Sequence, residues 1–75
     1  MMPKKYLWKI ECYEDEKEKI VDKIRSEGIK INDIECFGEI CHIYFEATIK
    51  DAMKFKGISR GEWLGLFRVI RRREK

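Results

Sequence analysis

Few residues in this chain could do chemistry. The single histidine, His42, stands on an alternating stretch that follows the dipeptide Gly38-Glu39, and that dipeptide reads as a two-residue type II′ turn with glycine first. The turn sets a register in which Phe37 faces Ile40, Cys36 faces Cys41, Glu35 faces His42 and Ile34 faces Ile43. A carboxylate opposite an imidazole can raise the histidine pKa and orient the ring as a base. No nucleophile accompanies the pair. Ser26 falls at a helix end and Ser59 in a loop, and Cys41 points to the opposite face of the strand from His42. There is no glycine-rich phosphate loop. The chain therefore reads as not an enzyme, with Glu35 and His42 a cross-strand polar pair. Three cysteines with no CxxC and no second histidine argue against a structural zinc site and against a disulfide framework. Cys12, Cys36 and Cys41 read as small core hydrophobes, although oxidation could join the facing Cys36 and Cys41. No cofactor or metal is expected.

Binding is the better-supported chemistry. The hairpin register places Ile34, Cys36, Cys41, Ile43 and Phe45 on one face, which reads as core. Glu35, Phe37, Ile40, His42 and Tyr44 lie on the other, where a surface sheet should be polar. Single-stranded nucleic acid wants flat rings beside positive charge. Phe37, His42 and Tyr44 supply the rings, and Lys9 and Tyr13 share their face. Arg68, Arg71, Arg72, Arg73 and Lys75 form a basic end that could follow phosphates. The net charge of +3 is unevenly spread: from Lys50 onward there are 9 basic against 3 acidic side chains. An anionic partner would meet that end first.

Elements that position these residues follow from periodicity. Residues 5–13 form a first strand, with Tyr6, Trp8, Ile10 and Cys12 facing the core and Leu7, Lys9, Glu11 and Tyr13 facing outward. Residues 15–27 form a helix with acidic side chains at its start, an apolar stripe of Ile20, Val21 and Ile24, and Gly28 as its terminator. Residues 29–37 and 40–46 form the hairpin strands, with Asp33 as an alternative start of the first because Asn32-Asp33 is turn-prone. Thr48 caps a second helix that stops near Gly57, with Asp51 completing an imperfect capping box and with Ile49, Ala52, Met53 and Phe55 turned inward. Residues 62–71 fit a strand, with Trp63, Gly65, Phe67 and Val69 on one face. They also fit a helix, since residues 59–62 spell a capping box and Trp63, Leu66, Phe67 and Ile70 fall at helical spacing. The strand reading is favoured, because Gly61 and Gly65 each weaken a helix by about 1 kcal/mol relative to alanine. The expected fold is α+β, a ferredoxin-like βαββαβ plait: a four-stranded antiparallel sheet with two helices on one face and the other face open.

Residues 38–46, followed by a helix carrying Asp51-Ala52, resemble the third strand and second helix of the RNA-recognition motif. In that family this strand carries a glycine, two exposed aromatics, a buried aliphatic and a buried aromatic. Ile43 and Phe45 match the buried pair. His42 and Ile40 occupy the exposed aromatic positions without being Phe or Tyr, and Lys9 stands where the first strand should carry an aliphatic. The resemblance implies RNA or DNA binding on the open face.

Seventy-five residues bound the rest. They make one domain over residues 1–75, frayed at 1–4 and ending in a basic tail at 71–75, and they hold one modest core. No segment approaches the ~18 apolar residues of a membrane span, and the start lacks a signal-peptide core, so a cytoplasmic location without membrane association is expected. The first reading is a non-catalytic nucleic-acid-binding protein. The alternative is a protein-interaction module working through the same face. In that form it would be an accessory regulator or inhibitor of a host enzyme, of phage or plasmid type, or a homodimer. Single-stranded nucleic acid, a host protein or a second copy is thus the expected partner.

Overall fold

The computed structural model describes residues 3–70. It runs from β1 (Tyr6–Tyr13) through a 3-10 turn (Glu14–Glu16) into α1 (Lys17–Ser26). The hairpin of β2 (Ile31–Phe37) and β3 (Ile40–Ala47) comes next. A short α2 (Ile49–Ala52) continues as a 3-10 turn (Met53–Phe55), and β4 (Gly65–Arg68) closes the order. The four strands form one sheet in the order β2-β3-β1-β4, with every neighbouring pair antiparallel. The architecture is α+β, a four-stranded antiparallel sheet with two helices. Among the described residues, no helix is long and apolar enough to cross a membrane.

The hairpin register is the one its turn dictates. Ile34 faces Ile43, Glu35 faces His42, Cys36 faces Cys41 and Phe37 faces Ile40. Gly38 has a φ of +64°, which a side chain would resist, while Glu39 keeps an ordinary negative φ. The β2–β3 pairing shifts between Ile31 and Asp33, where Asn32 interrupts the ladder. That is why β2 starts at Ile31 yet runs irregularly until Asp33.

The core lies on one side of the sheet. Trp8, Ile10 and Cys12 of β1 and Cys41, Ile43, Phe45 and Ala47 of β3 are buried there against Ile20, Val21 and Ile24 of α1, Ala52 of α2 and Phe55. Phe45 and Phe55 meet edge to face at 5.6 Å. The Trp8 indole N–H donates to the Ala47 carbonyl oxygen at 2.9 Å, so its polar atom is satisfied inside the core. At the end of α1, the Gly28 N–H donates to Arg25 O and the Ile29 N–H to Ile24 O. With Gly28 at φ +79°, this is a Schellman terminus.

Several expectations need correction. The first helix starts two residues late, at Lys17, because the acidic residues 14–16 form a 3-10 turn. The second helix is a single α-turn. Thr48 does cap it, its hydroxyl accepting from the Asp51 N–H at 3.1 Å, but only Ala52 and Phe55 turn inward. Ile49 and Met53 are exposed, since so short a helix has no second inward-facing turn. Residues 62–70 do not form a helix, and among them only Gly65–Arg68 form strand, while residue 71 lies outside the described residues. Cys36 is not a core residue, for it lies near the tip of an edge strand whose only partial burial against the core comes from Ile31 and Ile34. It is joined to Cys41 by a disulfide. Residues 3–5 are exposed and lack regular structure, and the tail at 71–75 lies outside the described residues.

Candidate binding face

Cross-strand partners share a face, so the registers define the uncovered side of the sheet row by row. Phe37, Ile40 and Tyr13 make the row next to the turn. Glu35, His42, Glu11 and Gly65 make the second, and Asp33, Tyr44, Lys9 and Phe67 the third. Leu7 and Glu46 follow. The rings run diagonally across this face. Phe37 and His42 lie 5.5 Å apart and His42 and Tyr44 6.3 Å apart, both edge to face. Phe37 is 61% exposed and Phe67 39% exposed. Both are large apolar side chains that burial would stabilise by about 1.5–3 kcal/mol each.

Charge divides this face from a phosphate-binding one. Among the described residues paired in the sheet, its acidic side chains are Glu11, Asp33, Glu35 and Glu46, and Lys9 is its one cationic side chain. The lysine is already engaged: its ammonium lies 3.0 Å from Glu11 Oε2 and 5.9 Å from the centre of the Phe67 ring. His42 Nε2 approaches the same Glu11 oxygen at 3.6 Å. Glu35, its register partner, makes no such approach. The imidazole therefore belongs to a Lys9–Glu11–His42 cluster on the sheet, and the expected Glu35–His42 pairing is replaced by one across β1 and β3.

The sequence-derived site residues separate into two groups. Phe37, His42, Tyr44 and Lys9 come together on the uncovered face. Arg68 does not join them. It is the register partner of Trp8, so it leaves the sheet on the helix side, where its guanidinium stacks 3.8 Å above the Tyr6 ring. Arg71, Arg72 and Arg73 lie outside the described residues. Phe67 was missing from the expected site, because nothing in a single sequence gives the β1–β4 register.

A second constellation pins the loop before β4. Glu16 accepts from the Tyr13 N–H at 3.0 Å, the Ser59 hydroxyl at 2.9 Å and the Arg60 N–H at 2.8 Å. The Arg60 guanidinium donates to both Asp15 oxygens, at 2.7 and 3.0 Å, and its centre lies 4.5 Å above the Tyr13 ring. The Arg60 hydrogen bonds hold the Asp15 carboxyl below its ordinary range. Burial pushes the Glu16 carboxyl up, but the three donors outweigh it and hold it low. This anchored loop carries Trp63, which is 86% exposed. The capping-box residues thus serve another purpose: the Ser59 hydroxyl donates to Glu16 and accepts from the Gly61 N–H, two residues on, as a local turn.

Among the described residues, no group of three or more His, Cys, Asp or Glu side chains is placed to hold a metal ion. Neither a family model, a curated protein nor a solved structure matches this chain.

Proposed function

We propose that this chain is a non-catalytic binding module that docks a protein on its uncovered sheet face, an apolar centre meeting Phe37, Ile40, Tyr44 and Phe67 and basic side chains meeting the surrounding carboxylates. One observation carries this reading. Among the described residues of the sheet, the face gathers exposed and half-exposed rings among four carboxylates and a single lysine that is already paired. Contiguous apolar surface of this kind marks an interaction site, and the carboxylates select a cationic rim by complementary charge. The fold reading that accompanies it is the ferredoxin-like plait. Its support is the strand order, in which β3 lies between β1 and β2 and each helix links two strands that are not neighbours in the sheet. The abbreviated α2 is its main departure.

Nucleic-acid binding, with the RNA-recognition-motif resemblance behind it, is the second reading. The Phe37–His42–Tyr44 ladder favours it, because bases stack on rings so placed. The carboxylates oppose it, because a phosphate backbone crossing this face meets net negative charge.

Affinity capture from a cognate lysate separates the readings, comparing the wild type with Tyr44→Ala/Phe67→Ala and with Glu35→Lys. The expected result is a partner retained by the wild type and lost by both variants. A partner retained by both, or salt-sensitive binding of single-stranded oligonucleotides that Glu35→Lys strengthens, would overturn protein docking in favour of another surface or of nucleic acid. Sedimentation at rising concentration tests whether the partner is a second copy.

A further inference from the structure

Three cysteines stand in one row across three strands. Cys36 of β2 faces Cys41 of β3, and Cys41 faces Cys12 of β1. Cys12 and Cys41 are fully buried, whereas Cys36 is exposed. Hydrogen-bond alternation decides which neighbour Cys41 bonds. A two-residue turn makes Phe37–Ile40 the hydrogen-bonded pair, so Cys36–Cys41 is the next, non-hydrogen-bonded pair, in which side chains approach more closely. Their Cα atoms are 4.0 Å apart. Cys41 then directs its own backbone groups toward β1, which makes Cys12–Cys41 the wider kind of pair. Cys12 remains a free thiol.

The bonded cysteines are only five residues apart and are already held in register by the hairpin. One sulfur is open to solvent and the other is sealed. We propose that the Cys36–Cys41 bond is a thiol–disulfide exchange site that accepts small thiols of the glutathione class at Cys36. The incoming thiolate forms a bond to Cys36 Sγ as the Cys36–Cys41 bond breaks. The electron pair departs on Cys41 Sγ, which takes up a proton. A second thiolate attacks the external sulfur of the mixed disulfide, so that two small thiols are oxidised to their disulfide and Cys36 leaves as a thiolate. Cys41 is closed to the first attack by burial. Cys12 does not compete: burial first, and then the nearby Glu16 charge, push its thiol up to about 11, so it stays protonated and unreactive at neutral pH. The site lies on the opposite side of the sheet from the docking face, so either can fail alone.

The test uses the full chain purified in air, exposed to millimolar reduced glutathione, quenched in acid, alkylated and mapped by mass spectrometry. The expected product carries glutathione on Cys36, with Cys41 and Cys12 alkylated only after denaturant is added. The Cys36→Ser variant takes up no glutathione, and Cys41→Ser is alkylated at Cys36 in the native state. An adduct on Cys41 or Cys12, a disulfide that persists unchanged in glutathione, or three free thiols in the air-purified chain would each overturn the proposal.

Discussion

The two faces of the sheet carry similar aromatic content and use it differently. On the helix side Tyr6, Trp8 and Phe45 stand among aliphatics and cysteines, and Arg68 is the only charge the strand registers place there. On the uncovered side Tyr13, Phe37, Tyr44 and Phe67 stand among four carboxylates, a lysine and a histidine. The covered rings gain their stabilisation from α1, α2 and Phe55, and the Trp8 indole N–H among them is bonded to the Ala47 carbonyl. The uncovered rings gain little from folding. Lys9 lies over Phe67, Arg60 lies over Tyr13, and Tyr44 stands between Asp33 and Lys9 in the register, so these rings keep water-seeking charge beside them. Hydrophobicity alone therefore does not tell the covered face from the uncovered one. The charges interleaved with the rings do.

Substitution can break this comparison from the core outward. Phe55→Ala removes a fully buried ring that meets Phe45 edge to face, and should cost about 3–5 kcal/mol in denaturant unfolding. Glu16→Ala strands three donors at once and should cost about 2 kcal/mol. Acid should act in the same way. Asp15 and Glu16 have depressed pKa values in the folded state, so their contribution is complete above the ordinary carboxylate pKa of about 4 and is lost as pH falls through the folded values. A pH series of unfolding midpoints would show a decline below about pH 4 in the wild type, diminished in Glu16→Gln. Tyr44→Ala should change stability least, by less than about 1 kcal/mol, while abolishing partner capture. A large loss of stability there would make Tyr44 part of the fold's own support and remove it from the proposed docking surface.

Much of this was legible in the sequence because one turn determined it. Gly38-Glu39 allows only a two-residue connection, and the pairing of Ile34, Glu35, Cys36 and Phe37 follows from it residue by residue. Strand alternation likewise placed Lys9, Glu11 and Tyr13 beside Tyr44. What stayed hidden depends on distant partners. The strand register of Phe67, the turn of Arg68 toward Tyr6 and the choice of Glu11 over Glu35 by His42 are all set by pairing with β1, which no local pattern encodes. Residues 59–62 misled for a related reason. Their capping-box spelling is a local preference, and Glu16, more than forty residues away, claims the same hydroxyl.

The four-residue β4 has a consequence for how the chain assembles. The hairpin closes across two residues, but β4 must return to β1 over more than fifty, pairing Gly65 with Glu11 and Arg68 with Trp8. Closure of so long a loop for so few hydrogen bonds comes late. During synthesis β4 emerges after the other three strands. For that interval β1 is an open edge beside a nearly finished core, and a second nascent chain could pair with it in place of β4. With Ser59 and Arg60 held by Glu16, only the few residues from there to Gly65 separate the anchored loop from the strand.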